Sequence, residues 1–112
     1  MNDDRRRLDD ILAAIADAGL IVERGRATFD RDPLTVRAAK NVVTEIGEAT
    51  KALSTATTDA IHDVPWRAIA GMRDRTIHRY PEVDLDVLWD TIVSDLPELA
   101  EQIRAHIDSD HT

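Results

Sequence analysis

The sequence of 112 residues contains no cysteine. Disulfide bonds, thiolate zinc sites and cysteine nucleophiles are therefore excluded, and this composition favours a reducing cytoplasm as the setting. Aromatic residues make up only 4% of the chain, so a folded core has to be built from Leu, Ile, Val and Ala. That balance favours packed helices over β-sheets, because strands are enriched in aromatic and β-branched residues.

Long apolar runs are also missing. The charged residues 1–7 are not followed by an apolar stretch of the signal-peptide type, and the run from Ile11 to Ile15 is interrupted at Asp17, too early to span a bilayer. We therefore expect a soluble, cytoplasmic protein without a membrane partner. Apolar residues make up 43% of the chain, enough for one folded domain, which we place at residues 1–112.

The charge is acidic overall but unevenly distributed. The formal net charge of −8 disfavours unspecific binding of nucleic acid by the whole surface. Residues 65–80 nevertheless hold four Arg and one Asp, a local charge of +3, whereas residues 81–112 hold one Arg and nine Asp or Glu, a local charge of −8. Of these two segments, only the first would attract a phosphate group.

Apolar residues recur at three- and four-residue steps, which predicts amphipathic helices. The first helix is predicted over residues 4–24, followed by an irregular exit over residues 25–32 with Phe29 at the edge of the core. The second is predicted over residues 33–53, because Asp is a good N-cap and Pro suits the first helical position. A polar connection is predicted next, with Thr57–Asp59 capping a short turn.

Two further helices are predicted in the second half of the chain. The third begins near Pro65 and must end by Tyr80, since Pro81 disfavours helical geometry in the residue before it. The fourth is capped by Asp84 and extends to Ile107, with a kink or break at Pro97. Short connections between long helices imply antiparallel neighbours. The sequence therefore predicts an all-α antiparallel bundle of four to five helices, with apolar stripes wide enough to pack against a second copy.

One segment, Gly71–Pro81, combines residue types that suit cleavage of a phosphodiester without a metal ion. Arg73 offers a planar, permanently charged group that can contact two phosphate oxygens at once. His78 can donate and accept a proton near neutral pH, and the helix dipole in a last turn favours its charged form. Asp74 lies four positions before His78 on the same helix face, where it can orient the imidazole.

Spacing alone leaves the role of this segment open. Arg73 and His78 lie five positions apart, about 140° around an ideal helix. They meet at one phosphate only if the helix end unwinds or if a second chain completes the site. In the structural interpretation, Arg73 is a solvated surface residue, His78 caps a helix C-terminus and Tyr80 covers the edge of the core.

The motif resembles the signature of HepT-type HEPN proteins, in which Arg, four residues, His, one residue and Tyr follow one another. Here these are Arg73, His78 and Tyr80, and Asp74 supplies the polar residue that follows the Arg in that pattern. The resemblance covers residues 4–107. The flanking segments that also resemble the family are Glu45–Ala49, Gly71–Arg73, Val83–Asp86 with Trp89, and Asp95–Pro97.

The resemblance implies a HEPN-type bundle that forms a homodimer through helix packing, with two motif helices facing each other across a cleft. It also implies a metal-independent endoribonuclease without a cofactor, in which the ribose 2′-hydroxyl is the nucleophile. Arg73 would then bind the scissile phosphate and stabilise charge in the transition state, and His78 would act as general base or acid. Asp74 would support His78, and Arg75 and Arg79 are candidate contacts to RNA phosphates.

The resemblance further implies a toxin–antitoxin pair. The partner would be a minimal nucleotidyltransferase of the MntA type that attaches AMP to the motif tyrosine, here Tyr80, and thereby blocks RNA. Two alternatives stay open. The chain could be a non-catalytic HEPN partner of a nucleotidyltransferase that binds nucleotide or RNA without cutting, or it could be the antitoxin while the nucleotidyltransferase is the toxin.

Overall fold

The computed structural model describes residues 3–73 and 84–110 of the chain. These residues form an all-α fold, with no β-strand in either range, which confirms the predicted fold class. The helices are α1 (Asp3–Glu23), α2 (Arg26–Arg31), α3 (Pro33–Ala52), α4 (Thr55–Ala60), α5 (Trp66–Arg73), α6 (Leu85–Asp90) and α7 (Leu96–Asp110), and a π-helical turn, Thr91–Asp95, joins α6 to α7.

The two longest helices, α1 and α3, pack side by side and are antiparallel. Asp4, at the start of α1, accepts hydrogen bonds from the hydroxyls of Ser54 and Thr57, which follow the end of α3. These bonds lower the pKa of the Asp4 carboxyl. Helix α3 also contacts α5, while α1 contacts the π-helical turn and α7. The core therefore lies between α1, α3, α5 and the last helical segment.

Aliphatic side chains fill this core, as the low aromatic content predicts. Most of the fully enclosed residues come from α1, α3 and the last segment of the chain, and include Ile11, Val43, Ile46, Leu88, Ile92 and Ile103. Thr35 and Thr50 of α3 are the buried polar residues of this helix. None of the helices in the two described ranges combines the length and hydrophobicity that a membrane span requires.

Helix α2 lies where the sequence analysis predicted an irregular exit, and that prediction is wrong. Gly25 ends the first helical stretch with φ of +88°, which lets the chain turn and begin a new helix. The ion pair between Arg26 Nε and Asp30 Oδ1, 2.7 Å apart, spans one turn of this helix. Phe29 is fully buried, not at the core edge as predicted, so tertiary packing stabilises a helix too short to form alone.

Helix α4 occupies the predicted polar connection, where the sequence predicted no helix. Ser54 caps the helix, since its Oγ accepts a hydrogen bond from the Thr57 backbone N–H at 3.3 Å. The sequence predicted instead that Thr57–Asp59 cap a short turn through Ile61 and His62, whereas these three residues lie inside α4. Ser54 donates hydrogen bonds from its backbone N–H and its hydroxyl to the Asp4 carboxylate, which fixes it in place. A contact between residues fifty positions apart cannot be predicted from local sequence.

The last helical segment follows the prediction more closely. Asp84 caps α6, as predicted, because its Oδ1 accepts a hydrogen bond from the Val87 N–H at 3.1 Å. The predicted interruption near Pro97 is also present, as the π-helical turn just before it. Proline has no N–H for the carbonyl of Val93, four positions earlier, so the backbone widens over the preceding turn.

Gly25 and Gly19 provide a matched pair of tests for this backbone geometry. At Gly25, φ is +88° and ψ is 157°, a region almost restricted to glycine. Gly25→Ala should therefore destabilise the fold by about 1–3 kcal/mol, although the added Cβ meets no atom within 4 Å. Gly19→Ala, inside α1 and equally open, should stabilise by about 0.5–1 kcal/mol. Urea unfolding measures the change in the free energy of unfolding for both variants. A change of the same sign in the two variants would contradict this account.

Candidate functional site

The predicted motif begins at the end of α5 and continues outside the described residues. Arg73 is the last residue of α5, and only its backbone belongs to the described structure. The other five predicted site residues lie between the two described ranges: Asp74, Arg75, His78, Arg79 and Tyr80. The roles assigned to all six residues therefore stay predictions.

Helix α5 is fixed against the core along its whole described length. Trp66 donates a hydrogen bond from Nε1 to the Ile61 carbonyl at 3.0 Å, which ties the first residue of the helix to the preceding turn. Ile69 and Met72 are buried, with 7% and 1% of their surface exposed. Because these two residues lie three positions apart, they hold one face of the helix in the core. The backbone therefore reaches Arg73 from a well-anchored helix.

The chain returns from the motif at α6, and Arg26 of α2 anchors this return. The guanidinium of Arg26 contacts Asp30 through Nε at 2.7 Å and Asp86 through Nη2 at 2.6 Å. It also lies 5.9 Å from the ring centroid of Trp89, which in turn packs on Phe29 with ring centroids 5.1 Å apart. Hydrogen bonds to Asp30 and then Asp86 raise the pKa of Arg26, so the guanidinium stays charged.

Sequence reasoning did not identify Arg26 as an anchor. The four-residue spacing of Arg26 and Asp30 indicates a helical ion pair, and that signal was available in the sequence. The contact with Asp86 was not, because Asp86 lies sixty positions further along the chain. Tertiary contacts thus hold both helices that flank residues 74–83, α5 before them and α6 after them, in place.

The described surroundings of α5 are acidic on one side. A cavity of about 230 Å³ lies between α5 and the start of α7, with Ile69 and Met72 in its apolar wall and Asp95 and Glu98 at its edge. These exposed carboxylates repel a polyanion approaching from that side.

Within residues 3–73 and 84–110, no three His, Asp or Glu side chains are arranged to hold a metal ion. His78 and Asp74 lie outside these two ranges. Metal-independent chemistry therefore stays a prediction.

Comparison with known proteins agrees with the motif. The model of the family described as Ribonuclease HepT-like matches residues 11–106. A protein of Caldanaerobacter subterraneus subsp. tengcongensis, named provisionally as an RNase, is 41% identical over 76 residues, which are 68% of this chain and 68% of its own length. A protein of Methanocaldococcus jannaschii, named in the same way, is 32% identical over 105 residues, covering 91% of this chain and 85% of its own.

A third relative, from Thermococcus cleftensis, is named provisionally as ribonuclease HepT. It is 44% identical over 54 residues, which are 48% of this chain and 49% of its own length. No solved structure gave a significant match to the chain. The family match runs from α1 into α7 and contains the whole segment Arg73–Tyr80. With its all-α fold, its Arg–His–Tyr motif and a family match over residues 11–106, the chain belongs to the ribonuclease HepT-like family.

Proposed function

We propose that the chain is a metal-independent endoribonuclease toxin of a toxin–antitoxin pair and acts on RNA as a homodimer. The observation that carries this proposal is the family match over residues 11–106, since that span includes the complete motif. Membership of the family supports a function of the ribonuclease type. The toxin role, the dimer and the modification of Tyr80 are part of the proposal.

In the proposed reaction, the ribose 2′-hydroxyl attacks the adjacent phosphorus and the 5′-oxygen of the next nucleotide leaves. His78 accepts the proton of the 2′-hydroxyl, and a second imidazole donates a proton to the leaving oxygen. Arg73 contacts the phosphate oxygens and stabilises the negative charge that develops on them. Asp74 orients His78, while Arg75 and Arg79 attract the neighbouring phosphates.

A homodimer would bring two copies of the motif to one phosphate, so that the groups of both chains can act on it. On a regular helix, Arg73 and His78 point about 140° apart, so one chain does not readily place both groups on one phosphate. Two motif helices facing each other across a cleft would bring two Arg–His pairs together. The second imidazole of the reaction is then His78 of the partner subunit.

Control of such a nuclease requires a way to block the basic motif. In the proposal, a nucleotidyltransferase of the MntA type transfers AMP from ATP to the phenol oxygen of Tyr80, with release of pyrophosphate. Tyr80 lies two positions from His78. The phosphate of the attached AMP would bind the arginines that RNA otherwise contacts.

The acidic net charge of −8 favours a second candidate function. In it, the chain is a non-catalytic HEPN partner of a nucleotidyltransferase and binds nucleotide or RNA without cutting. A purified chain that binds RNA or ATP yet leaves RNA intact over hours would select this function instead.

Expression in a bacterial host tests the toxin role. We expect the chain alone to arrest growth, and co-expression of an MntA-type nucleotidyltransferase to restore growth. If the nucleotidyltransferase alone arrests growth and this chain relieves the arrest, the nucleotidyltransferase is the toxin and this chain is the antitoxin. Normal growth with the folded chain at high level would contradict the toxin role.

A further inference from the structure

The structure also points to a second functional surface, away from the motif. We infer that the groove on the outer side of α1 and α3 docks a basic amphipathic helix of another protein. Two cavities of about 380 and 370 Å³ lie along these two helices and share Glu45. One extends toward Leu20 and Leu34, the other toward Arg7 and Ala52. Together they form the α1–α3 groove.

The first of these cavities carries an unusual pair of apolar side chains. Leu20 is 59% exposed and Leu34 is 72% exposed, the two highest values among large apolar residues in the described part of the chain. They come from different helices and line the same cavity, above the buried Ile21 and Val42. Single exposed leucines are ordinary, but a pair on one cavity is typical of a contact surface.

Acidic side chains flank this apolar pair. Five acidic and two basic residues line the two cavities. Among residues 3–73 and 84–110, the carboxylates of Asp10, Asp17 and Glu48 form no ion pair. A partner that covers the leucines brings its own side chains beside these carboxylates. Lys or Arg on the partner would pair with them, and the same charge excludes RNA from this surface.

The charge also argues for a different protein rather than a second copy as the occupant. A symmetric contact between two copies places the same patch against itself. Because five acidic residues and only two arginines line the groove, such a contact would place an excess of negative charge against the same excess, which opposes it. A helix suits the groove because the groove runs between two long helices, as in other helix-in-groove complexes. Its apolar residues, three or four positions apart, would cover Leu20 and Leu34.

A displayed library of helical peptides tests this inference on the folded full-length chain. Peptides selected by the wild-type chain should carry apolar residues at three- and four-residue spacing together with an excess of Lys and Arg. Leu20→Asn/Leu34→Asn should weaken their binding by at least about tenfold, the effect expected from losing two buried leucine contacts. Asp17→Asn/Glu45→Gln/Glu48→Gln should make the binding less sensitive to salt.

Val87→Asn/Val93→Asn is the matched control, because these two valines are each 39% exposed and lie outside the groove. This variant should bind the selected peptides as the wild type does. Three results would overturn the inference: no enriched peptide, peptides without an excess of basic residues, or equal binding by the leucine variant. A wild-type dimer that the leucine variant converts to a monomer would assign the groove to a second copy. No readout here depends on RNA cleavage, so the ribonuclease proposal is tested separately.

Discussion

Arg73→Ala and His78→Ala should each reduce RNA cleavage by about a hundredfold to a thousandfold or more, while the chain stays folded. In the proposed reaction, loss of His78 removes the group that transfers protons, a contribution of about 10²–10⁴ in rate. In the same proposal, loss of Arg73 removes the charge that faces the phosphate in the transition state, worth about 10²–10³ when one such donor is deleted. The rate of cleavage of a labelled RNA, measured beside a thermal unfolding curve, reports both effects.

Two variants elsewhere on the chain are matched controls for this prediction. Arg67 lies on the same helix as Arg73 and is exposed, and His62 is an exposed histidine just before that helix. Arg67→Ala makes the same change in net charge as Arg73→Ala, so it should lower the rate by a few-fold at most. His62→Ala should leave the rate unchanged.

Arg73→Lys separates charge from geometry. Lysine keeps the positive charge but does not offer the planar fork that contacts two phosphate oxygens. We expect a rate between those of the wild type and Arg73→Ala. Full activity in both Arg73→Ala and His78→Ala would show that the motif does not form the active site.

Tyr80→Phe should make the chain resistant to the proposed nucleotidyltransferase antitoxin without loss of the proposed nuclease activity. The substitution removes only the phenol oxygen, which accepts the AMP group in the proposed modification. Incubation with ATP and the MntA-type partner should add AMP to the wild-type chain and stop cleavage. The Tyr80→Phe chain should gain no mass and continue to cut RNA.

Intact-protein mass spectrometry and the cleavage assay on the same samples measure this effect. ATP analogues that cannot transfer AMP should leave the wild-type chain active, which separates modification from simple binding of the partner. Modification of the Tyr80→Phe chain at another residue, with loss of cleavage, would contradict the assignment of Tyr80. Loss of cleavage in Tyr80→Phe before any modification would instead give the phenol a role in the reaction.

Helices with long apolar periodicity could be predicted closely from sequence. The predicted first and second helices, residues 4–24 and 33–53, end within a residue of α1 and α3. Asp32 explains the accurate start of α3, since its side chain accepts hydrogen bonds from Leu34 N and from Thr35 Oγ1. Such caps act over two or three residues and can be recognised locally. The Thr35 bond is the largest cause of the lowered pKa of Asp32.

The short helices could not be predicted in the same way. A six-residue helix has too few turns for a periodic pattern and is stable only through tertiary contacts. Helix α2 depends on the packing of Phe29 against Trp89, and α4 depends on the cap residue Ser54, which is hydrogen-bonded to Asp4 at the start of α1. Both contacts join residues at least fifty positions apart.

The candidate site was identified from the sequence through its resemblance to a family, and the family match agrees with that identification. Arg73 and His78 do not fall on one face of a regular helix, so residue spacing alone left a surface role open. The anchor at Arg26 was missed because it joins α2 to α6 through Asp86 and Trp89, sixty or more positions along the chain. The charge pattern of the sequence locates the basic motif. The acidic α1–α3 groove cannot be predicted in this way, because its residues come from two helices that are separate in sequence and adjacent only in the fold.

The most direct measurement compares two oligonucleotides in the presence of a chelator. One is an RNA that the purified chain cuts, and the other differs only by a 2′-deoxyribose at the cut position. If His78 activates the ribose hydroxyl and Arg73 stabilises the phosphate without a metal ion, the first is cut in EDTA and the second stays intact at that position. Cleavage of both at the same bond, or loss of all cleavage in EDTA, would contradict the proposed mechanism.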